Sequence, residues 1–249
     1  GVVTPKTLPP YVTQAILSIE DRRFYSHFGI DFIGLFRAMW VNYRAGYVVQ
    51  GGSTLTQQLA KNFLQSEKLY PLHDRSLRRK IQEAILALWL EYKFTKEQIL
   101  TIYLNRVYLG SGTFGLAAAS HHYFGKRPED LGLYEAAVIA GLLKAPSKYS
   151  PSKNPHLAEQ RAAQVLESMV KEGYVREDLK EATLILVSSA PQVFKGSLVR
   201  YFTDWVVDLL DTYPNLIDKD LIVTTTLDPD LQRLAEKKVA HVMEEKEEK

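Results

Sequence analysis

The sequence predicts a mainly α fold, on three observations. Apolar residues recur at helical spacing along most of the chain. Glycine and proline fall where such runs would begin and end. A single stretch, LIVTTTL at 221–227, is β-branched and bounded by turn residues in the manner of a strand.

Pro9-Pro10 opens a first helix that runs to Glu20, where a missing N–H does no harm, with Val12, Ala15, Ile16 and Ile19 as its apolar stripe. Residues 31–44 read as a second helix, rich in Phe, Ile, Leu, Met and Trp. Gly51-Gly52 breaks the chain before a third, starting near Ser53. A long helix spans roughly 75–93, and its run IQEAILALWL is apolar nearly all round, which predicts burial on most sides. Thr95 and Gln98 have the spacing of a capping box for a helix to about Asn105. Further helices are expected over 113–124, 130–143, 154–172 and 176–185, and an amphipathic segment near 200–212.

With 249 residues, 46% of them hydrophobic, the chain can bury one large core, alone or with a small lobe. A net charge of +2 argues against a general nucleic-acid binder. The absence of cysteine excludes disulfides and thiolate chemistry and fits an envelope location. No stretch reaches the ~20 apolar residues that cross a bilayer. The abrupt ends, GVVTPKTLPP and VMEEKEEK, read as those of a piece of a longer protein.

Two acids invite a chemical reading. Glu20 has Ile16, Leu17 and Phe24 at helical spacing, company that desolvates a carboxylate and makes it a better base. The bland alternative is a helix-end acid paired with Arg22 or Arg23. Glu83 sits inside the apolar run, where an acid is costly unless paired or at work. Arg79, four residues back, offers an ion pair as the structural account. In GGSTLTQQLAKN, residues 51–62, glycines and hydroxyls at a helix start leave backbone N–H groups for an anion. Thr54, Gln57, Gln58 and Lys61 share its polar side, although Ser and Thr are also ordinary caps. Arg75, Arg78, Arg79, Lys80 and Lys96 form either a solvated face or a diphosphate site. His27 is a ligand, a base or a hydrogen-bonded structural residue. The helix at 31–44 carries more large apolar side chains than one buried face requires, and Arg37, Tyr43 and Arg44 beside them suit a membrane interface; a plain core helix is the alternative.

In this order and spacing the stretches resemble the peptidoglycan glycosyltransferase family (glycosyltransferase family 51), the domain that polymerises lipid II in class A penicillin-binding proteins and in monofunctional transglycosylases. The family pattern EDxxFxxHxG corresponds to Glu20, Asp21, Phe24, His27 and Gly29. GxSTxxQQxxKN corresponds to residues 51–62, with Ser53, Thr54, Gln57, Gln58, Lys61 and Asn62. RKxxE is Arg79, Lys80 and Glu83, and KxxIxxxYLN is Lys96, Ile99, Tyr103, Leu104 and Asn105. RxxxVL is Arg161, Val165 and Leu166. The match covers roughly 11–190; the link SEKLYPLHDRS is longer than the family's usual one, and Arg75 within it stands at the family's basic position.

The resemblance implies a lysozyme-like two-lobed helical fold with a small hydrophobic lobe, about 28–50, touching the membrane through residues 28–48. It divides the chain into a glycosyltransferase domain at 1–195 and a region at 196–249 leading to an absent transpeptidase. Glu20 would be the general base, while Glu83 would orient cations or help hold Mg²⁺ or Mn²⁺ on the diphosphate; no organic cofactor is implied. Lys61, Arg79 and Lys80 would stabilise the leaving group, and Ser53, Thr54, Gln57 and Gln58 would bind donor sugar or phosphate. Asp21, Phe24, His27, Asn62, Arg75, Lys96, Tyr103 and Asn105 complete the substrate cleft and its scaffold, and Arg161 would be structural. Implied partners are lipid II, lipid-linked glycan and moenomycin-type phosphoglycolipids, with no nucleic acid. The native protein would carry a transmembrane anchor and work on the outer face of the bacterial cytoplasmic membrane. Two rival readings remain: a lysozyme-like or lytic hydrolase, and a non-catalytic membrane-associated binding module.

Overall fold

The computed structural model describes residues 2–47, 51–66 and 76–189, with six positions between 226 and 238. The expected segment at 200–212, all but one residue of the expected strand, and Arg75 lie outside the described residues. The chain divides into two compact units, Gly1–Phe194 and Lys195–Lys249; the first holds everything below.

Among the described residues the class is mainly α, as expected. The helices are α1 (Pro10–Glu20), α2 (Phe32–Ala45), α3 (Leu55–Ser66), α4 (Leu77–Lys93), α5 (Lys96–Arg106), α6 (Leu116–Phe124), α7 (Leu133–Leu142), α8 (Pro155–Lys171) and α9 (Glu177–Ser189). The capping box of α5 forms: Thr95 Oγ1 accepts from Gln98 N–H, and Gln98 Oε1 accepts from Thr95 N–H at 2.9 Å.

The helix apolar on all sides and buried on all sides is α7, LYEAAVIAGL, in which Tyr134 and every residue from Ala136 to Leu142 are buried. The helices α1, α6, α8 and α9 pack around it. A buried Ser168 hydroxyl ties α8 to α1 by donating to the Ser18 carbonyl at 2.7 Å. The expectation for α4 is corrected. It buries Glu83, Ala87, Leu90 and Glu91, the face bearing its acids, and exposes Leu77, Ile81, Ile85, Leu88, Trp89 and Tyr92. An all-round apolar helix needs apolar surroundings on every side, but among the described residues α4 packs on one side only, chiefly against α3. Helix α2 is likewise open. Ala38 is its one buried residue, while Phe32, Ile33, Phe36, Met39 and Trp40 (61% exposed) face outward.

Between α5 and α6 the chain turns back on itself, Leu109 and Gly115 N–H donating to Thr113 and Val107 carbonyls. Gly115 (φ 80°, ψ 159°) occupies backbone space that side chains essentially exclude. A Cβ there would lie 2.6 Å from the Asn105 carbonyl oxygen. Gly115→Ala is therefore expected to cost about 2 kcal/mol or more of stability. Urea unfolding checks this, and an unchanged midpoint would refute the strain.

Candidate active site

The C-terminus of α1, the N-terminal half of α3, Tyr103 of α5, the start of α2 and one face of α8 enclose a cleft of about 720 Å³. Its lining includes six cationic side chains (Arg22, Arg37, Lys61, Lys144, Arg161, Lys171) against four acidic ones (Glu20, Asp21, Asp31, Glu167), so the cleft favours an anion.

Glu20 is the last residue of α1 and has no ion-pair partner among the described residues. Arg22 pairs with Glu172 at 3.2 Å and Arg23 with Asp31 at 3.3 Å, which removes the bland alternative. Its Oε2 accepts a hydrogen bond from Gln58 Nε2 at 2.8 Å. Gln58 Oε1 in turn accepts from the buried Tyr103 hydroxyl at 3.1 Å. Burial pushes the Glu20 carboxyl up from its ordinary range, against the opposing effects of the Gln58 hydrogen bond, Arg161 and Lys144; the Asp21 charge adds to the rise. A carboxyl so raised takes up a proton more readily than an exposed one.

Asp21 holds the frame instead of an open face. It caps the end of α1, and its carboxylate accepts from Leu55 N–H at 2.9 Å and faces His27 Nε2 at 3.0 Å through both oxygens. Thr54 and Gln57 satisfy two more N–H groups reciprocally, and Thr54 Oγ1 donates to the Gly29 carbonyl at 2.6 Å. The expectation of free N–H groups at the start of α3 is corrected accordingly: the N–H groups of Thr54, Leu55 and Gln57 are taken, and the anion at this helix end is Asp21 itself.

Glu83, 1% exposed, has Arg79 Nε 3.0 Å from Oε1 and Lys80 Nζ 2.6 Å from Oε2. Lys80 Nζ also reaches Ser53 Oγ at 3.3 Å, so the acid aims a half-exposed lysine at the cleft rim. Both Glu83 oxygens face cations, and among the described residues no three His, Cys, Asp or Glu side chains stand together, so a divalent cation at this site would take most of its ligands from a substrate diphosphate.

Of the residues singled out from sequence, Glu20, Asp21, Ser53, Thr54, Gln58, Lys61, Asn62 and Tyr103 meet in this cleft. Lys61 has no acidic partner among the described residues. Phe24, His27, Gln57, Arg79, Lys80, Glu83, Lys96 and Asn105 stand outside the lining. Phe24 is buried beneath Lys96, whose Nζ lies 4.5 Å from the ring centre and 2.7 Å from Glu91. His27 faces Asp21, and Asn105 clamps the N-terminal segment through both hydrogen-bonding groups of Val3. Arg161, expected to be structural, lines the cleft although only 7% exposed, with Nη1 donating to Gln164 Oε1 at 2.9 Å. Gly141 makes room for it: a Cβ there would meet Arg161 Cγ at 2.9 Å. Lys144 and Tyr108 had no sequence signal; the fold alone brings them to the cleft.

A helical cleft with a half-buried glutamate held by an amide instead of a cation, and an excess of cations around it, is a site suited to an anionic ligand. The family described as Transglycosylase matches residues 1–170, nearly to the end of α8, and the chain belongs to that family. Penicillin-binding protein 1A of Aquifex aeolicus (strain VF5) is 44% identical over 232 residues, 92% of this chain and 31% of that protein. Penicillin-binding protein 1A of Escherichia coli (strain K12) is 44% identical over 181 residues, 73% of this chain and 21% of that protein. The crystal structure of penicillin-binding protein 1A from Haemophilus influenzae is similar at 29% identity and a TM-score of 0.37, over 64% of this chain and 20% of that one. The chain spans a third or less of the length of these relatives.

A raised carboxyl pKa has a sign in stability. Ionising Glu20 costs the folded state, so its contribution is whole below the unfolded pKa and is lost as pH rises through the folded one. Glu20→Gln is expected to raise Tm at about pH 8, with the gain vanishing below the ordinary glutamate range. Calorimetry across pH tests this; a difference independent of pH would contradict it.

Proposed function

We propose that the chain is a peptidoglycan glycosyltransferase that polymerises lipid II. The donor is a glycan linked through diphosphate to a polyprenyl lipid, and the acceptor is the 4-hydroxyl of the N-acetylglucosamine of lipid II. Glu20 removes the acceptor proton as that oxygen attacks the donor C1 from the face opposite the leaving group. The C1–oxygen bond breaks, its electrons leave with the polyprenyl diphosphate, and the anomeric configuration inverts. A diphosphate needs charge stabilisation more than a proton, so cations replace a second catalytic acid. Lys61 and Lys80, the latter aimed by Glu83, are in position to supply it from the α3 side of the cleft. The observation that carries this reading is Glu20, deprived of an ion pair and raised in pKa, inside a cation-rich cleft.

The apolar face of α2 rests in the outer leaflet of the cytoplasmic membrane, with Trp40 and Tyr43 beside Arg37 and Arg44 at headgroup level. No helix among the described residues is long and apolar enough to cross a membrane. A moenomycin-type phosphoglycolipid competes for the donor site.

Glu20→Gln is expected to lose at least about 100-fold in the rate of lipid II polymerisation in detergent. Retained turnover would overturn the base, and release of soluble fragments from intact peptidoglycan would favour a hydrolase. Replacing Phe36, Met39 and Trp40 together by Ser is expected to reduce cosedimentation with anionic phospholipid vesicles while leaving the circular dichroism unchanged. Undiminished binding would place the membrane contact elsewhere.

A further inference from the structure

Between Glu20 and the buried centre of the fold runs a chain of two hydrogen bonds whose direction is fixed. It starts at Tyr103 on α5, which has no exposed surface. Its hydroxyl donates to Gln58 Oε1 at 3.1 Å, and Gln58 Nε2 donates to Glu20 Oε2 at 2.8 Å. An amide can turn over, so the direction needs a cause. Turned over, Gln58 would set its oxygen against the Glu20 carboxylate, acceptor against acceptor, and leave the buried Tyr103 O–H without that oxygen to donate to. Burial, reinforced by the negative charges of Glu20 and Asp21, raises the Tyr103 pKa well above its ordinary value, so the hydroxyl keeps its proton and stays a donor.

We propose that Tyr103 and Gln58 are positioning residues for Glu20. The tyrosine locks the amide, and the amide holds one carboxylate oxygen, leaving the other to take the acceptor proton. The inference rests on Glu20 being the base.

The lock also selects a protonation state. An Nε2–H can donate to the carboxylate but has nothing to accept from the acid. A turned-over amide would accept from protonated Glu20 through Oε1 and so favour the wrong state. Tyr103 decides between the two. The Gln58 hydrogen bond it selects opposes the burial that raises the Glu20 pKa, on the same side as Arg161 of α8 and Lys144 after α7; Asp21, the next residue, acts in the opposite sense. These three charged groups stay unchanged in the variants below, so any shift belongs to the tyrosine and the amide. The second Nε2 hydrogen of Gln58 remains available to substrate, so binding and positioning can coexist in this side chain.

The test is the pH dependence of kcat and kcat/KM for lipid II polymerisation in the wild type, Tyr103→Phe, Gln58→Glu and Glu20→Gln. Tyr103→Phe keeps the ring packing, and the acid limb is expected to move up by about half to one pH unit. At pH values above that limb, KM should stay within about twofold of the wild type. Gln58→Glu keeps the length and the acceptor for Tyr103 but sets a second carboxylate beside Glu20. The limb should then move further, by more than about one unit, because two carboxylates at hydrogen-bond distance do not both ionise readily. An acid limb that stays at the wild-type pH in both variants overturns the proposal. So does a loss confined to KM, which would make Gln58 a binding residue alone. The two readings fail separately: if Glu20→Gln keeps its activity, the base itself is wrong. If Glu20→Gln is inactive and neither limb moves, only the positioning role is wrong.

Discussion

The Asp21 carboxylate is the contact on which the cleft depends. It takes the Leu55 N–H at the head of α3 while facing His27 from the turn between α1 and α2. One buried side chain thereby joins the end of α1, the approach to α2 and the beginning of α3. Charge-assisted hydrogen bonds to a buried carboxylate are among the stronger ones a protein makes, and losing either partner would leave a charge uncompensated. Glu20, the preceding residue, inherits its position from this junction. Gln58, one turn beyond Leu55, inherits its position too, so the distance between carboxylate and amide is fixed by the residue next to Glu20.

The fully buried acids follow one rule, and the half-buried Glu20 departs from it. Glu83 has Arg79 and Lys80, Glu91 has Lys96 and the Thr56 hydroxyl, and Asp21 has His27 and a helix N-terminus. Each obeys the requirement that a buried charge be compensated. Glu20 has an amide in place of a cation at contact distance, and its cations act from further away. A contacting lysine or arginine would hold the carboxylate ionised too firmly to accept a proton. An amide orients the group and leaves it basic.

Local sequence rules carried the helices well, because caps, glycines and 3.6-residue spacing act within a turn or two. They failed where the decision belonged to partners distant in sequence. The runs in α4 and α7 look alike in composition, yet α7 has helices on all sides and α4 has an open face. Gly51-Gly52-Ser53-Thr54 suggested an empty anion site because nothing local reveals that Asp21, over thirty residues earlier, reaches the Leu55 N–H. Glu20 was ambiguous from its own segment because nothing local shows that Arg22 pairs with Glu172 and Arg23 with Asp31. Arg161 was visible as a motif, but its place in the cleft follows from Gly141, a missing side chain on a helix that carries no chemistry.

The two sides of α2 connect this chemistry to a substrate of two natures. Gly34 and Arg37, three residues apart and so on one face, line the cleft that holds Glu20. Phe32, Phe36, Met39, Trp40 and Tyr43 turn away from the protein. A soluble glycan would need the first face and gain nothing from the second, and a large exposed apolar surface is a liability unless something covers it. The lipid-linked sugar diphosphate proposed as donor would use both, its headgroup and anionic leaving group among the cations and its hydrocarbon in a bilayer against the outer face. On that proposal the apolar helix is a wall of the active site as well as a membrane contact, which favours transfer from a polyprenyl diphosphate over cleavage of finished glycan.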